Sequence, residues 1–403
     1  MSRAVIESSA LFGTLGAVPS KSAAHRMAIC AFLSGESEVR GLGKSEDIEA
    51  TLGALEAISA GKDVINCGES GSTLRFLIPV AAALGKAVTF TGRGRLPERP
   101  IGEYLRLLPE HGVKCESKGG LPLKISGRLT SGRYEIEGNI SSQYITGLLL
   151  ALPLLDGDSE IVLVSPLQSK PYVEMTLGVM RLFGVDAEEG ENGYFIKGNQ
   201  KYNKTSCTVE GDWSQAAFFL AGGALTGEVT ITGLSMNSAQ GDKRIVDVMR
   251  LFGADITVGE NSVSVKKSEL SGIGLDVSDI PDMVPAIAVL AANAKGKTVI
   301  TGAERLRIKE SDRIKSITEN LKRMGVEVLE RPDGMDITGS RLKGAKLDGF
   351  NDHRIVMAFS IAALCAEGKT VITDAMSVNK SYPEFFSDYR SLGGKADVIC
   401  DRK

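Results

Sequence analysis

The sequence repeats one pattern six times, and this repeat constrains the fold more than any other feature. In each copy a polar stretch leads into an apolar helix, a glycine turn and a β-branched strand. The turn glycines, spaced by 50, 72, 70, 69 and 72 residues, are Gly35, Gly85, Gly157, Gly227, Gly296 and Gly368. Copies of one supersecondary unit bury their apolar faces by packing against one another around a shared core.

A second series of helices, amphipathic rather than apolar all round, is interleaved with the first. Its turn glycines, spaced by 51, 72, 69, 72 and 68 residues, are Gly61, Gly112, Gly184, Gly253, Gly325 and Gly393. A helix that is apolar all round is buried, whereas an amphipathic helix lies at the surface. Each unit therefore contributes one inner helix, one outer helix and short strands.

Six such units predict an α/β protein with two domains of three units each. The chain has 403 residues, enough for two domains of roughly 200 residues. Gly- and Pro-containing stretches at 13–20 and 209–214 are the predicted crossings. We expect domain I to comprise 1–19 and 212–403, and domain II to comprise 20–211. If the inner helices of each domain point the same way, their starts converge on the face between the domains.

Composition excludes several classes of function. The net charge is −3 and the pI is 5.9, so no global positive field attracts nucleic acid or an anionic membrane. The longest apolar runs, such as 145–155, are too short to span a bilayer, and the N-terminus lacks the order of a signal peptide. Six scattered cysteines without a CxxC motif indicate reduced thiols. We expect a soluble cytoplasmic monomer that holds no structural metal.

Cationic residues recur at the starts of the apolar helices. Lys21 and Arg26 stand at the first of these starts, and Arg75 and Arg354 repeat the pattern. A helix N-terminus carries about half a positive charge, so basic residues are unfavourable there unless an anion lies between them and the helix. The repetition favours a polyanionic ligand.

Taken singly, many of these polar residues have ordinary explanations. Ser22, Ser70 and Asp352 can be helix caps worth about 1 kcal/mol each. The charged stretch KESDR at 309–313 can be solvated i,i+3 and i,i+4 charge pairing on an exposed helix face. These explanations remain open at the level of sequence.

Nine motifs, in order along essentially the whole chain, resemble those of the EPSP synthase family of enolpyruvyl transferases. They are PSKSAAHR, GESGSTLRF, RPIGEYL, SSQYITGLLLALP, SKPYVEMT, IPDMVPAIA, RIKESDRI, NDHRIVMAF and NKSYPEFF. The resemblance implies a two-domain inside-out α/β barrel, each domain having three repeats of a βαβαββ-type unit, with the active site in the cleft between domains. It implies transfer of the enolpyruvyl group of phosphoenolpyruvate to the 5-hydroxyl of shikimate 3-phosphate, without metal or organic cofactor, on the shikimate pathway to chorismate and aromatic amino acids.

The resemblance also implies roles for individual residues. The shikimate 3-phosphate ligands are expected to be Lys21, Ser22, Arg26, Ser141, Ser142, Gln143, Ser169, Asp282 and Lys309, with Tyr172 nearby. The phosphoenolpyruvate ligands are expected to be Lys21, Gly71, Arg99, Gln143, Arg313, Arg354 and Lys380. Lys21 is expected to be catalytic. Asp282 would be the base at the attacking hydroxyl, and Glu310 the acid that protonates the enolpyruvyl methylene. Arg75 would support the site without contacting substrate.

Charge agrees with these roles, because the two substrates together carry roughly −5 to −6 and the implied ligands include seven cations. Two departures from the family pattern stand out. Arg305 occupies a position where many relatives have Asn, which leaves one shikimate contact open. ESGSTLRF replaces NAGTAMRP, although Gly71 and Arg75 are retained.

Two alternatives compete with this function. The sister enzyme acting on UDP-N-acetylglucosamine has a cysteine shortly before its RP motif, whereas this chain reads GRGRLPERP, with Cys115 only in the following strand. A non-catalytic polyanion-binding repeat protein would have no reason to place Asp282 and Glu310 amid cations. Gly71 in the phosphoenolpyruvate motif further predicts inhibition by glyphosate.

Overall fold

The computed structural model describes residues 2–400. The chain divides into two compact units. The first unit combines Met1–Val18 with Glu210–Lys403, and the second unit is Pro19–Val209.

Twelve α-helices alternate with strands over the described range. In chain order they are α1 (Lys21–Ser34), α2 (Glu46–Ser59), α3 (Gly71–Ala83), α4 (Gly102–Glu110), α5 (Ser142–Ala151), α6 (Lys170–Leu182), α7 (Trp213–Thr226), α8 (Ile245–Phe252), α9 (Val284–Asn293), α10 (Arg313–Arg323), α11 (His353–Ala362) and α12 (Phe385–Ser391). Short 3₁₀ helices precede or follow several of them, including Pro281–Met283 before α9 and Ala375–Lys380 before α12.

The strands of residues 2–400 are short, as expected for a repeat built from βαβ units. They are β1 (Ser2–Glu7), β2 (Phe12–Gly16), β3 (Glu38–Arg40), β4 (Val64–Asn66), β5 (Val88–Thr91), β6 (Val113–Glu116), β7 (Leu123–Gly127), β8 (Arg133–Ile136), β9 (Ser159–Leu163), β10 (Glu188–Gly190), β11 (Gly193–Ile196), β12 (Ser206–Thr208), β13 (Glu228–Thr232), β14 (Asp255–Val258), β15 (Ser262–Lys266), β16 (Gly274–Asp276), β17 (Lys297–Thr301), β18 (Glu327–Arg331), β19 (Gly334–Thr338), β20 (Lys346–Leu347), β21 (Thr370–Thr373) and β22 (Lys395–Cys400).

Four of the sheets share one topology. A leading strand runs parallel to the strand that follows the inner helix, and an antiparallel hairpin completes the sheet. The orders are β4-β5-β7-β6 and β8-β9-β11-β10 in the second unit, and β2-β13-β15-β14 and β16-β17-β19-β18 in the first unit. The common order confirms the predicted α/β repeat, because one sequence pattern has produced one pairing scheme.

The pairing of three strands shows how the chain crosses between the units and how its last repeat is completed. β2 precedes α1 in the chain but pairs in parallel with β13, the strand after α7. Conversely, β12 precedes α7 but pairs in parallel with β3, the strand after α1. In the last sheet, β20-β21-β1-β22, the N-terminal strand β1 lies where a hairpin strand lies in the other sheets. The chain start therefore completes the final repeat.

The inner helices are buried on nearly all sides, as their composition predicts. Every residue from Trp213 to Leu225 of α7 and from Val284 to Ala292 of α9 is buried. The helix α1 is the partial exception: Ala23–Cys30 are buried, but its last turn is only half-buried. This helix belongs to the repeat whose sheet, β12-β3, has just two strands.

The inner helices of the second unit pack closely because one contact position carries no side chain. A Cβ atom on Gly147 of α5 would collide with the backbone carbonyl of Arg75 in α3 and with the hydroxyl of Tyr104. That hydroxyl donates 2.7 Å to the Arg75 carbonyl and 3.0 Å to the Tyr144 carbonyl. Gly147 thus lets α3 and α5 approach while Tyr104 ties their backbones together.

Over residues 2–400, no helix is both long enough and apolar enough to cross a membrane.

Candidate active site

Helix caps fix the starts of the three inner helices in the second unit. Ser20 accepts a hydrogen bond from the backbone of α1, Ser70 does so for α3 and Ser141 for α5. The capping explanation is correct for Ser70. It is wrong for Ser22, which lies within the first turn of α1, because Ser20 already occupies the cap position.

Arg26 is a buried cation at the meeting point of α1, α5 and α6. Its guanidinium donates to Oγ1 of Thr176 (2.8 Å) and Thr146 (3.4 Å) and to the carbonyls of Ser22 (2.6 Å) and Tyr172 (3.0 Å). Burial lowers the pKa of Arg26 to about 10. Within residues 2–400 no carboxylate lies within ion-pair distance of Arg26. A buried charge without a counterion is costly, so this point of the second unit favours an anion.

Serines at the starts of α5 and α6 accompany Arg26. Ser142 begins α5, and Ser169 directly precedes α6 with a left-handed backbone at φ 56°. Both residues are buried, with 8% and 2% exposure. Since Arg26 bonds to Thr146 of α5 and to Tyr172 of α6, the structure brings these helix starts together beside one cation.

Lys21, the first residue of α1, forms an ion pair that the sequence did not reveal. Its Nζ lies 2.6 Å from Oδ2 of Asp47, in the first turn of α2, and the two side chains are 15% and 12% exposed. Acidic residues are common in first helical turns for reasons of dipole alone. Asp47 therefore carried no distinguishing signal in the sequence.

A buried chain of hydroxyl groups connects α1, α2 and α3. Nδ1 of His25 and Oγ1 of Thr51 share a hydrogen bond of 2.7 Å, and Thr51 shares one of 2.6 Å with Thr73. Thr73 in turn donates 2.8 Å to the capping hydroxyl of Ser70. Three helix starts are thus held in fixed relation.

Arg75 orients the side chain of Gln143. Its guanidinium donates 2.7 Å to Oε1 of Gln143 and 2.8 Å to the carbonyl of Pro100. Nε2 of Gln143 then donates 3.0 Å to the hydroxyl of Ser72. Arg75 also lies over the ring of Tyr144, 5.4 Å from its centroid. Arg75 therefore holds the side-chain amide of Gln143 in one orientation.

Gly71 and Arg99 are in direct contact. A Cβ atom on Gly71 would lie 2.5 Å from Nη1, 2.8 Å from Cζ and 2.9 Å from Nη2 of Arg99. The guanidinium of Arg99 consequently rests on the first residue of α3, and the absence of a side chain at Gly71 makes room for it.

Arg313 is the centre of the corresponding cluster in the first unit. It is 1% exposed and pairs with three carboxylates: Asp282 (3.1 Å), Glu310 (2.8 Å) and Asp352 (2.9 Å). The pairing explanation for this stretch is correct in that Glu310 and Arg313 form an i,i+3 ion pair, but the exposed setting is wrong, because Arg313 is buried. Ser311 also donates 2.9 Å to Asp352.

Arg354 connects the starts of α7, α9 and α11. Its guanidinium donates 3.0 Å to Oδ2 and 3.1 Å to the carbonyl of Asp282, and 3.1 Å to the hydroxyl of Ser214. Asp352 caps α11 by accepting from the Arg354 backbone N–H at 3.0 Å, so the capping explanation for Asp352 is correct but incomplete. Ser214, like Asp47, is a site residue that the sequence analysis did not single out.

Two further lysines belong to this cluster. Nζ of Lys309 lies 3.5 Å from Oδ1 of Asp282, and Nζ of Lys380 donates 2.6 Å to the carbonyl of Asn351. Arg305 is half-buried and donates 2.6 Å to the carbonyl of Ser278.

Burial and neighbouring charges shift the pKa values of three groups in the first-unit cluster. Burial would raise the pKa of the Asp282 carboxyl, but Arg354, Lys309 and Arg313 together outweigh burial and hold that pKa well below its usual range. Burial lowers the pKa of Lys309, although Asp282 opposes this shift. For Arg313, three carboxylates outweigh burial and raise the pKa. Asp282 is therefore ionised and Arg313 remains cationic at neutral pH.

Comparison with known proteins gives a consistent result. The family model described as EPSP synthase (3-phosphoshikimate 1-carboxyvinyltransferase) matches residues 53–389. The chain is 42% identical to the 3-phosphoshikimate 1-carboxyvinyltransferase of Clostridium novyi (strain NT), covering 96% of this chain and 97% of the relative. It is 44% identical to the enzyme of the same name from Clostridium kluyveri, covering 96% of each chain.

Solved structures share the architecture. EPSP synthase from Acinetobacter baumannii superposes with a TM-score of 0.83 at 26% identity, covering 99% of this chain and 100% of that one. The enolpyruvyl transferase NikO from Streptomyces tendae shares the fold, with a TM-score of 0.80 at 18% identity over 100% of this chain and 99% of that one. The fold is therefore that of the enolpyruvyl transferases.

Within that class, the extent of the family match and the identity to the curated relatives are decisive. The chain belongs to the EPSP synthase (3-phosphoshikimate 1-carboxyvinyltransferase) family, and it is an enzyme of the transferase class.

Proposed function

We propose that this chain transfers the enolpyruvyl group of phosphoenolpyruvate to the 5-hydroxyl of shikimate 3-phosphate, releasing phosphate. Family membership and the names of relatives at 42% and 44% identity support this activity. Both substrates are small polyanions, which suits helix starts lined with cations.

In the second unit, we propose that shikimate 3-phosphate contacts Arg26 and the neighbouring serines. The observation that supports this role is the buried, counterion-free charge of Arg26, whose pKa burial lowers to about 10. A phosphate group would supply the missing negative charge. The other proposed ligands of the second unit, from the same helix starts, are Lys21, Ser22, Ser141, Ser142, Gln143 and Ser169.

Phosphoenolpyruvate is assigned to a second set of groups, which shares Lys21 and Gln143 with the first set. In the second unit these are Lys21, Gly71, Arg99 and Gln143, and in the first unit Arg313, Arg354 and Lys380. The contact of Arg99 with Gly71 and the fixed amide of Gln143 support the assignment, because planar guanidinium groups held in one orientation suit carboxylate and phosphate. The planarity of guanidinium makes lysine a poor replacement for Arg99, Arg313 or Arg354.

Asp282 and Glu310 are proposed as the base and the acid of the reaction. The 5-hydroxyl loses its proton as its oxygen bonds to C2 of phosphoenolpyruvate, while C3 gains a proton. Because the product again carries a C=CH₂ group, a proton leaves C3 and returns to the Glu310 carboxylate when phosphate leaves C2. Asp282 would accept the hydroxyl proton, Glu310 would supply the proton to C3, and Lys309 would lie beside the shikimate 3-phosphate.

The arrangement around Asp282 explains how its basicity would be switched on. With Arg313 and Arg354 both paired to Asp282, its pKa is well below the usual range and it is a weak base. Substrate anions bound by these two arginines would share their charge, which raises the pKa of Asp282 towards a value suited to proton transfer.

Phosphate release tests the proposal directly. We expect release with both substrates and none when either is omitted. Replacing shikimate 3-phosphate by UDP-N-acetylglucosamine should give none, which separates this function from that of the sister enzyme. A chain that binds both anions without releasing phosphate would instead be a non-catalytic binding protein.

A further inference from the structure

Asp47 holds the side chain of Lys21 through an ion pair. This carboxylate is neither one of the proposed substrate ligands nor one of the proposed proton-transfer groups. The Nζ to Oδ2 distance is 2.6 Å, and both side chains are mostly buried, with 15% and 12% exposure. A short, charge-assisted contact of this kind is much stronger than an ion pair in open solvent.

The position of Asp47 is fixed by more than its own helix. The hydroxyl oxygens of Thr51, on the same helix, and Thr73, on α3, each lie 3.4 Å from the backbone carbonyl oxygen of Asp47. Those hydroxyls belong to the buried chain that runs from His25 to the cap of α3 at Ser70. The backbone that carries the carboxylate therefore lies against the hydroxyl chain that connects α1, α2 and α3.

Lys21 needs such a support more than an arginine would. Its ammonium is carried on a flexible four-carbon stem, so an unrestrained lysine loses much rotamer freedom whenever it engages a ligand. Lys21 is also the first residue of α1, where the helix dipole repels a cation. A fixed carboxylate offsets that repulsion and orders the stem before substrate arrives, which is preorganisation.

We propose that Asp47 is a positioning residue, which orients the ammonium of Lys21 for enolpyruvyl transfer. This inference rests on the proposed function, in which Lys21 contacts both substrates. Asp47 itself touches neither substrate. It acts through the orientation of Lys21, so its removal should slow turnover more than it destabilises the protein.

Steady-state kinetics of phosphate release tests this role with three single variants. Asp47→Asn keeps the shape but removes the charge, and we expect kcat to fall about tenfold, equal to about 1.4 kcal/mol. Asp47→Glu restores a carboxylate, and its kcat should recover to within about threefold of wild type. Glu46→Gln is the matched control, because Glu46 lies on the same turn but pairs with the exposed Arg93 at 3.4 Å; its kcat should equal that of wild type.

A double-mutant cycle with Lys21→Met shows whether the effect passes through Lys21. Calorimetric titration with shikimate 3-phosphate should give a change in Kd for Asp47→Asn in the wild-type background and no change in the Lys21→Met background. Equal changes in both backgrounds would overturn the proposal. So would an unchanged kcat in Asp47→Asn, or a kcat for Asp47→Glu as low as that of Asp47→Asn.

These outcomes are distinct from failure of the proposed function. A wild-type chain that releases no phosphate from the two substrates contradicts the proposed function. An active wild type whose kcat is insensitive to Asp47→Asn contradicts only the role of Asp47. If Asp47→Asn lowers the melting temperature while kcat is retained, the ion pair is structural and the proposal is wrong.

Discussion

Arg313 and Asp352 form a fully buried two-bond ion pair: Nε of the arginine lies 2.9 Å from Oδ2, and Nη2 lies 3.2 Å from Oδ1. Asp352 simultaneously caps α11, whereas Arg313 is the first residue of α10. One carboxylate therefore ties the start of an outer helix to the start of an inner one. The same guanidinium also pairs with the two proposed proton-transfer groups: Nη1 of Arg313 pairs with Asp282, and Nη2 pairs with Glu310.

Asp352→Asn tests the energetic importance of this pair. Asparagine caps helices as well as aspartate does, so the substitution removes the charge and keeps the cap. The substitution leaves the buried Arg313 with one fewer negative charge beside it. We therefore expect a loss of about 3 kcal/mol in the free energy of unfolding. Urea denaturation measures it. Asp312→Asn, at the more exposed cap of α10, is the control and should cost less than about 1 kcal/mol; equal losses would refute the special role of Asp352.

Lys21→Met and Glu310→Gln should each abolish turnover without unfolding the chain. Methionine retains much of the lysine stem but no charge, and glutamine is nearly isosteric with glutamate but cannot deliver the proton. The measurement is phosphate release with both substrates, accompanied by circular dichroism to verify the fold. Turnover close to that of wild type in a folded variant would show that the substituted residue has been given the wrong role.

Gly71→Ala should raise the KM for phosphoenolpyruvate about tenfold. The added methyl group would lie 2.5 Å from a guanidinium nitrogen of Arg99, and the flexible arginine has to move away. Affinity for shikimate 3-phosphate should be unchanged. Gly53→Ala is the matched control, since a Cβ there meets no atom within 4 Å and α2 should gain about 0.5–1 kcal/mol. An unaltered KM in Gly71→Ala would separate Arg99 from phosphoenolpyruvate binding.

Glyphosate should inhibit the wild-type chain competitively with phosphoenolpyruvate. The expectation follows from the family resemblance and from the absence of a side chain at Gly71, which lets the Arg99 guanidinium lie against the first residue of α3. Initial rates at several phosphoenolpyruvate concentrations would reveal the pattern. No inhibition at millimolar glyphosate would contradict the prediction.

Asp336 should stabilise the first unit in a pH-dependent way. Hydrogen bonds from Arg331 and Lys297 outweigh burial and lower the pKa of Asp336 to about 2. Because this folded-state pKa lies below the unfolded value of about 3.9, the stabilisation is complete above about pH 4 and disappears as the pH falls towards 2. The two cationic partners are half-exposed, which reduces the expected contribution at pH 7 to about 1 kcal/mol.

Asp336→Asn should therefore lower the melting temperature at pH 7, and the difference from wild type should narrow as the pH approaches 3. Asp333→Asn, next to the hairpin turn, provides a control of equal charge change. A difference between wild type and Asp336→Asn that stays constant from pH 7 to pH 3 would show that titration of Asp336 does not contribute.

Part of the site could be read from the sequence and part could not. Arg26, Arg75 and Arg354 were conspicuous because cations at apolar helix starts are unfavourable without an anion. Asp47 and Ser214 gave no such signal, since an acid in a first helical turn and a serine near a cap are ordinary. Their importance depends on which distant side chain reaches them: Lys21 for Asp47 and Arg354 for Ser214.

The periodicity of apolar residues by itself determined the repeat, the alternation of inner and outer helices and the α/β class, because burial preferences act locally along each element. Only the tertiary structure decided that β2 pairs with β13, that β12 pairs with β3 and that β1 completes the last sheet. It alone also decided which charges meet, as Arg313 does with three carboxylates. Strand pairing and ion pairing join residues far apart in the chain, and their partners depend on how the whole chain packs.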